Sequence, residues 1–141
     1  MAFVSWETFV KDRVLHVTYF CRQIPLELDD LGTIYEGYVP NRIGVNLPMK
    51  VLKDLSPKNR LCIHDADYII CYPSWDRNYT MRHELLHAKF YMDDAYRKRI
   101  KKEWEELSKV DREKISKKLF SLGYKEEVHC DEWQAYQKVI P

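Results

Sequence analysis

The sequence predicts one α+β domain spanning residues 1–141, with a small antiparallel or mixed sheet, then a motif-bearing helix and C-terminal helices. Three observations predict it. Short runs rich in aromatic and β-branched residues, bounded by Gly, Pro or Asn, fill the stretch 33–72. From residue 80 onward apolar side chains recur at helical spacing instead. No repeat, low-complexity tract or linker divides the chain, and its length suits a single core.

Taken in order, Ser5–Val17 reads as an amphipathic helix, because Trp6, Phe9, Val10, Val14 and Val17 recur at helical spacing behind Ser5 as cap. Beyond Pro25 and the acidic turn Asp29-Asp30-Leu31-Gly32, the runs Thr33–Val39 and Arg42–Leu47 read as strands. Met49–Leu55 is a short helix stopped by Ser56-Pro57. Arg60–His64 and Asp67–Tyr72 read as two more strands joined through Asp65-Ala66 as a hairpin. Within the second, Tyr68–Tyr72 is the natural candidate for an exposed edge that a peptide extends, a buried central strand being the competing reading.

Pro73, Ser74, Trp75 and Asp76 turn the chain into a helix over Thr80–Met92, uninterrupted by Pro or Gly and cappable by Asn78 or Thr80. Met81, Leu85, Leu86 and Phe90 supply its apolar neighbours. A long charged helix follows over Asp94–Phe120, closed by Gly123, and a last helix runs from about Glu126 to Val139.

A net charge of +1 gives no global attraction for nucleic acid or a membrane surface. The charge is uneven, however: Arg97–Lys118 holds ten Lys or Arg against five Asp or Glu. Acidic neighbours at three and four residues favour a solvated helix face over a DNA-binding stripe. Cys21, Cys62, Cys71 and Cys130 show no CxxC pairing and are expected as free thiols. No apolar run reaches membrane-span length and Met1–Lys11 lacks a signal-peptide pattern, so the expectation is an intracellular, cytoplasmic protein. The sequence does not set an oligomeric state.

The chemistry concentrates in His83-Glu84-Leu85-Leu86-His87. On a helix this spacing stacks two imidazoles one turn apart on one face, where both reach one zinc ion, while Glu84 stands beside them to take a proton from a water. A catalytic zinc uses three protein ligands and an open position, so a third ligand must come from downstream: Asp93, Asp94, His129, Asp131 or Glu132. Asp93 lies six residues after His87, the metzincin-like spacing, but Phe90 stands where that pattern has glycine. Glu132, in Asp131-Glu132-Trp133-Gln134-Ala135-Tyr136, completes a His₂Glu set, and small Ala135 allows its helix to pack closely.

On these residues the chain resembles the gluzincin metallopeptidases, whose H-E-x-x-H helix is followed by one carrying E-x-x-A, as in thermolysin-like and ImmA/IrrE-like members. The resemblance implies a zincin-like fold and an intracellular zinc peptidase acting on peptide or protein. It implies His83, His87 and Glu132 as ligands and Glu84 as general base. His129 is the alternative ligand, as the third histidine is in SprT-like proteases. Tyr136, one turn beyond Glu132, is the candidate for a second electrophile, with Tyr79 and Tyr91 behind it. Trp6, Tyr35 and Tyr38 are candidates for pocket walls or core. Two other functions remain open: a zinc-bearing regulator or pseudoenzyme, and a DNA-associated protease using Arg97–Lys118.

Overall fold

β1 (Trp6–Lys11) and β2 (Val14–Tyr19) form an antiparallel hairpin where helical spacing predicts a helix. The turn decides it. Asp12 and Arg13 have φ of 53° and 67°, the left-handed pair of a two-residue hairpin loop, and Lys11 faces Val14 directly across it. Thr8, Val10, Val14, Val17 and Thr18 favour extended backbone, and β2 is buried on both faces, so its apolar run lacks the alternation that marks a strand. Ser5, expected as a cap, and Cys21 lie outside the residues described, 6–20 and 24–139 of a computed structural model.

β2 runs parallel to β4 (Tyr68–Pro73), and β3 (Val45–Pro48) pairs antiparallel with β4, giving one mixed sheet in the order β1-β2-β4-β3. Tyr68–Tyr72 is therefore central, and β3 is the edge nearer the motif helix. The crossover from β2 to β4 carries α1 (Leu26–Glu36), β3 and α2 (Met49–Leu55), the last with the bounds the sequence predicts.

α1 replaces both the acidic turn and the strand expected at Thr33–Val39. Glu27 and Asp29 sit in its first turn, where the helix dipole favours them, and Leu28 and Leu31 bury one face. Gly32 does not mark a turn. A Cβ there would fall 2.1 Å from Arg42 Nη1, so the glycine serves close approach inside a helix. Arg60–Ile63, expected to start a strand, is a 3₁₀ turn capped by Asn59, whose side chain accepts from the Leu61 N–H at 2.8 Å. No hairpin forms at Asp65-Ala66, because Asp67 N–H donates instead to Arg13 O at 2.8 Å and starts β4 beside β2.

A π-helical turn, Arg77–Met81, leads into α3 (Arg82–Met92). Its cap is Asp76 rather than Asn78 or Thr80: the carboxylate accepts from the Tyr79 and Thr80 N–H groups and from Thr80 Oγ1. The charged stretch is two helices, α4 (Asp94–Glu106) and α5 (Lys109–Leu122). Leu107 and Ser108 are extended, and Ser108 Oγ accepts from Asp111 N–H at 3.0 Å to start the second helix. Gly123, with φ of 104°, closes α5 as expected. A 3₁₀ turn, Glu126–Val128, then precedes α6 (His129–Val139).

The sheet is the middle layer. Leu15, Val17, Val45, Leu47, Ile69 and Cys71 point to one face and meet Leu28, Leu31 and Leu52 of α1 and α2. Val14, Tyr68, Ile70 and Tyr72 point to the other and meet Ala88, Leu85 and Met92 of α3. Each fully buried Leu or Ile contributes about 1.5–3 kcal/mol, so these two clusters hold α3 firmly on the sheet. α6 packs on α3 from behind. Cys62, Cys71 and Cys130 are free thiols. No helix among the described residues is long and apolar enough to cross a membrane.

Candidate metal centre

His83 and His87 project from successive turns of α3 toward α6, and Glu132 projects back from the first turn of α6. Chain folding closes a sequence gap of 45 residues between His87 and Glu132. The two Nε2 atoms lie 3.2 Å apart, and the Glu132 oxygens lie 2.8 Å from His87 Nε2 and 3.6 Å from His83 Nε2. All three residues are buried, and one donor atom from each falls within 4.8 Å of the others. Ala135, one turn along α6 from Glu132, is fully buried, as close packing of its helix requires.

Such a cluster is costly unless something satisfies it. Both Glu132 oxygens and His83 Nδ1 are buried without a well-aligned hydrogen bond. Two Nε2 atoms facing each other cannot both carry a proton there, whereas one cation between them and the carboxylate satisfies all three lone pairs. The donor set, two imidazoles and a carboxylate, thus fits a single metal ion.

The surrounding field favours positive charge. Burial pushes the His87 pKa down, but Asp131 and Glu132 outweigh it and raise it well above the usual histidine range. Burial likewise pushes Glu132 up, and the neighbouring His87 and His83 bring it below the ordinary carboxylate value. Glu84 is held above the ordinary value by burial, against the pull of both histidines. Close by, Glu36 is raised well above its usual value by burial, then by Glu132 and Glu84. Its partner is the buried Arg42, 2.9 Å away.

A chain of polar contacts surrounds the second candidate ligand, whose Nδ1 is itself buried without a well-aligned hydrogen bond. Asp131 Oδ1 lies 2.9 Å from His87 Nδ1 and accepts from Gln134 Nε2 at 2.9 Å. The same Gln134 amide donates to Leu86 O at 3.0 Å, and its oxygen accepts from Tyr96 O–H at 2.6 Å. Asp131, a ligand candidate by sequence, is therefore the carboxylate set against the His87 ring. Gln134 and Tyr96 carry no signal in the sequence, because their role arises only where α3, α4 and α6 meet.

Glu84 faces a cavity of about 260 Å³ whose walls include Ile43, Gly44, Tyr79, His83, Leu122, Tyr124 and Tyr136. A Cβ on Gly44 would come 2.5 Å from Glu84 Oε1 and 2.9 Å from Thr80 Cγ2, so the backbone leading into β3 approaches the carboxylate as only glycine allows. Asn46 of β3 accepts from Tyr68 O–H. The Tyr136 ring lies 4.6 Å from the His83 ring, and its hydroxyl is 3.0 Å from that of Tyr124. Burial raises the pKa of both phenols, so both remain protonated near neutral pH.

The other candidates are elsewhere. Asp93 caps α4, accepting from Tyr96 N–H at 3.0 Å, and Asp94 pairs with Arg97. His129 is buried under α5, with Nε2 3.1 Å from Tyr124 O and its ring 4.3 Å from that of Phe120. Tyr79 stacks loosely on His83, while Tyr91 packs on Tyr68. Trp6 packs against the core, Tyr38 is exposed, and Tyr35 lines a separate groove of about 950 Å³ that neither His83 nor Glu84 borders. No protein-family model, curated protein or solved structure matches the chain.

Proposed function

We propose that this chain is a zinc metallopeptidase of zincin-like fold and gluzincin type, hydrolysing peptide bonds in a peptide or protein. The observation that carries this reading is the convergence of His83, His87 and Glu132 with a fourth buried group, Glu84, placed beside them at an accessible cavity. A purely structural zinc closes its coordination with four protein ligands and needs no adjacent base.

His83, His87 and Glu132 would hold the ion, which when bound supplies Lewis acidity toward a carbonyl and makes water acidic near neutral pH. Asp131 keeps the His87 ring presenting Nε2 to the site. Glu84 takes the proton from the attacking water and returns it to the leaving amine nitrogen, acting as base and then acid. Tyr136 donates its hydroxyl proton toward the developing oxyanion, with Tyr124 orienting it. The segment 41–44 before β3, which lines the cavity beside Glu84 and is not buried as β3 itself is, offers the backbone along which an extended peptide lies.

The regulator and DNA-linked readings find less support. A regulator has no use for Glu84 poised at a cavity. The basic segment is broken at Leu107-Ser108, and Lys102–Glu106, Lys109–Glu113 and Arg97–Asp94 pairs divide its charge. The test is cleavage of a mixed peptide library by zinc-loaded protein, read by mass spectrometry. Cleavage abolished by a chelator and restored by zinc is expected; none at any peptide would remove the reading.

A further inference from the structure

The cleft between α5 and α6 has a composition that the metal centre does not use. Ile115, Leu119 and Leu122 recur along one face of α5, Trp133 and Tyr136 along one face of α6, and together they line a groove of about 570 Å³. α5 fully buries only Leu119, so the helices do not close over the strip, and Leu122 stays 39% exposed. Open apolar surface of this kind marks a binding site.

Its charge is one-sided. Lys114 and Lys118 stand on the rim and no carboxylate lines the groove. Among the described residues neither ammonium has a carboxylate within ion-pair distance, although Lys109 on the same helix does. The neighbouring cavity beneath α4 differs, setting Arg112 and Lys117 against Glu113, Glu126 and Glu127. Leu122 and Tyr136 also line the cavity at His83 and Glu84. The groove and the cavity beside the candidate metal centre thus share Leu122 and Tyr136 as walls.

We propose that this groove binds an acidic, apolar segment of the polypeptide substrate, such as a Leu or Phe flanked by Asp or Glu. The identity of the occupant as substrate rests on the peptidase reading; the preference for acidic, apolar chemistry does not. The apolar side chain lies against Ile115, Leu122 and Trp133, and its acidic neighbours meet Lys114 and Lys118. A DNA duplex offers no apolar side chain for the strip, and adjacency, through Leu122 and Tyr136, to a site proposed to act on backbone amides favours a polypeptide over a lipid.

The test titrates zinc-loaded Glu84→Gln protein, by fluorescence anisotropy, with two labelled peptides of equal length that differ only in whether Asp or Lys flanks a central Leu. The acidic peptide is expected to bind about tenfold tighter at low salt, with the preference shrinking as salt rises. Lys114→Glu with Lys118→Glu should reverse the preference, and the milder pair Lys114→Ala and Lys118→Ala should abolish it. Equal binding of the two peptides, or a preference that survives both pairs, overturns the proposal. So does stronger binding of phosphatidylserine vesicles or duplex DNA, or self-association lost on charge reversal, because each assigns the groove another occupant. If the acidic peptide binds as stated but the wild-type zinc protein cleaves neither peptide, the groove stands and the peptidase reading falls. If both are cleaved alike and charge reversal changes nothing, the peptidase reading stands and the groove falls.

Discussion

His87 Nδ1 lies 2.9 Å from Asp131 Oδ1, and because Asp131 is the residue before Glu132, a single turn of α6 carries one candidate ligand and sets a carboxylate against another. Asp131→Ala should therefore lower metal affinity about 10–100-fold while leaving the three ligands in place. Competition with a chromophoric chelator measures this. Tyr96→Phe, which removes the hydroxyl holding Gln134, should weaken affinity less; an unchanged affinity in Asp131→Ala would show that α6 packing alone sets the His87 ring.

Glu84 and the ligands divide the work. His83→Ala and His87→Ala should lose metal and activity together, whereas Glu84→Gln should retain stoichiometric metal and lose about 10²–10⁴-fold in turnover. Tyr136→Phe should keep the metal and lose about 10²–10³-fold in kcat, the usual loss for one oxyanion donor. Metal content measured beside turnover separates these classes, and full activity in Glu84→Gln would remove proton transfer by this residue from the mechanism.

Gly44 is a sensitive position beside Glu84. In Gly44→Ala the new methyl meets Glu84 Oε1 at 2.5 Å and Thr80 Cγ2 at 2.9 Å, so either the carboxylate or the strand entry must move. The expected result is retained metal, reduced kcat and a stability loss of about 1–3 kcal/mol from overpacking. Urea denaturation and turnover on one preparation check both parts.

Asp76 caps the entry to α3, and its pH dependence has a definite sign. The Thr80 hydroxyl, outweighing slight burial, holds the Asp76 carboxyl below its usual value. Its stabilisation is therefore present above the unfolded pKa and is lost as pH falls through the folded one. Asp76→Ala should cost about 1 kcal/mol at neutral pH, and the gap from wild type should close below about pH 4. A constant gap down to acid pH would mean that the carboxylate's charge plays no part.

The basic segment should not bind DNA strongly, since the helix breaks at Leu107-Ser108 and several of its cations are paired. Anisotropy with duplex and single-stranded DNA at physiological salt should show no sub-micromolar affinity. Tight binding lost on reversing Lys114, Lys117 and Lys118 would instead restore the DNA-linked function.

The convergence of His83, His87 and Glu132 was legible in part: H-E-x-x-H spacing puts two imidazoles on one helix face, and small Ala135 allows the helix carrying Glu132 to pack closely. α2 and Gly123 were legible because they rest on local rules. Elements fixed by distant partners were not. β2 is buried on both faces by the layers packed on either side of the sheet, which erases alternation, and the Asp12-Arg13 turn carries no Asn-Gly signature. Gly32 looked like punctuation but accommodates Arg42, a residue ten positions away. The break at Ser108 had a readable signal, Ser108 followed by Asp111 at capping spacing, outweighed by the continuous charge pattern. Glu36 and Arg42 beneath the site had none.

Anomalous diffraction at the zinc edge, on crystals of protein whose metal content has been measured, addresses the central claim most directly. One zinc per chain is expected, with its peak about 2.0–2.2 Å from His83 Nε2, His87 Nε2 and a Glu132 oxygen. A folded protein that takes up no stoichiometric zinc, or an ion bound away from these three atoms, would contradict it.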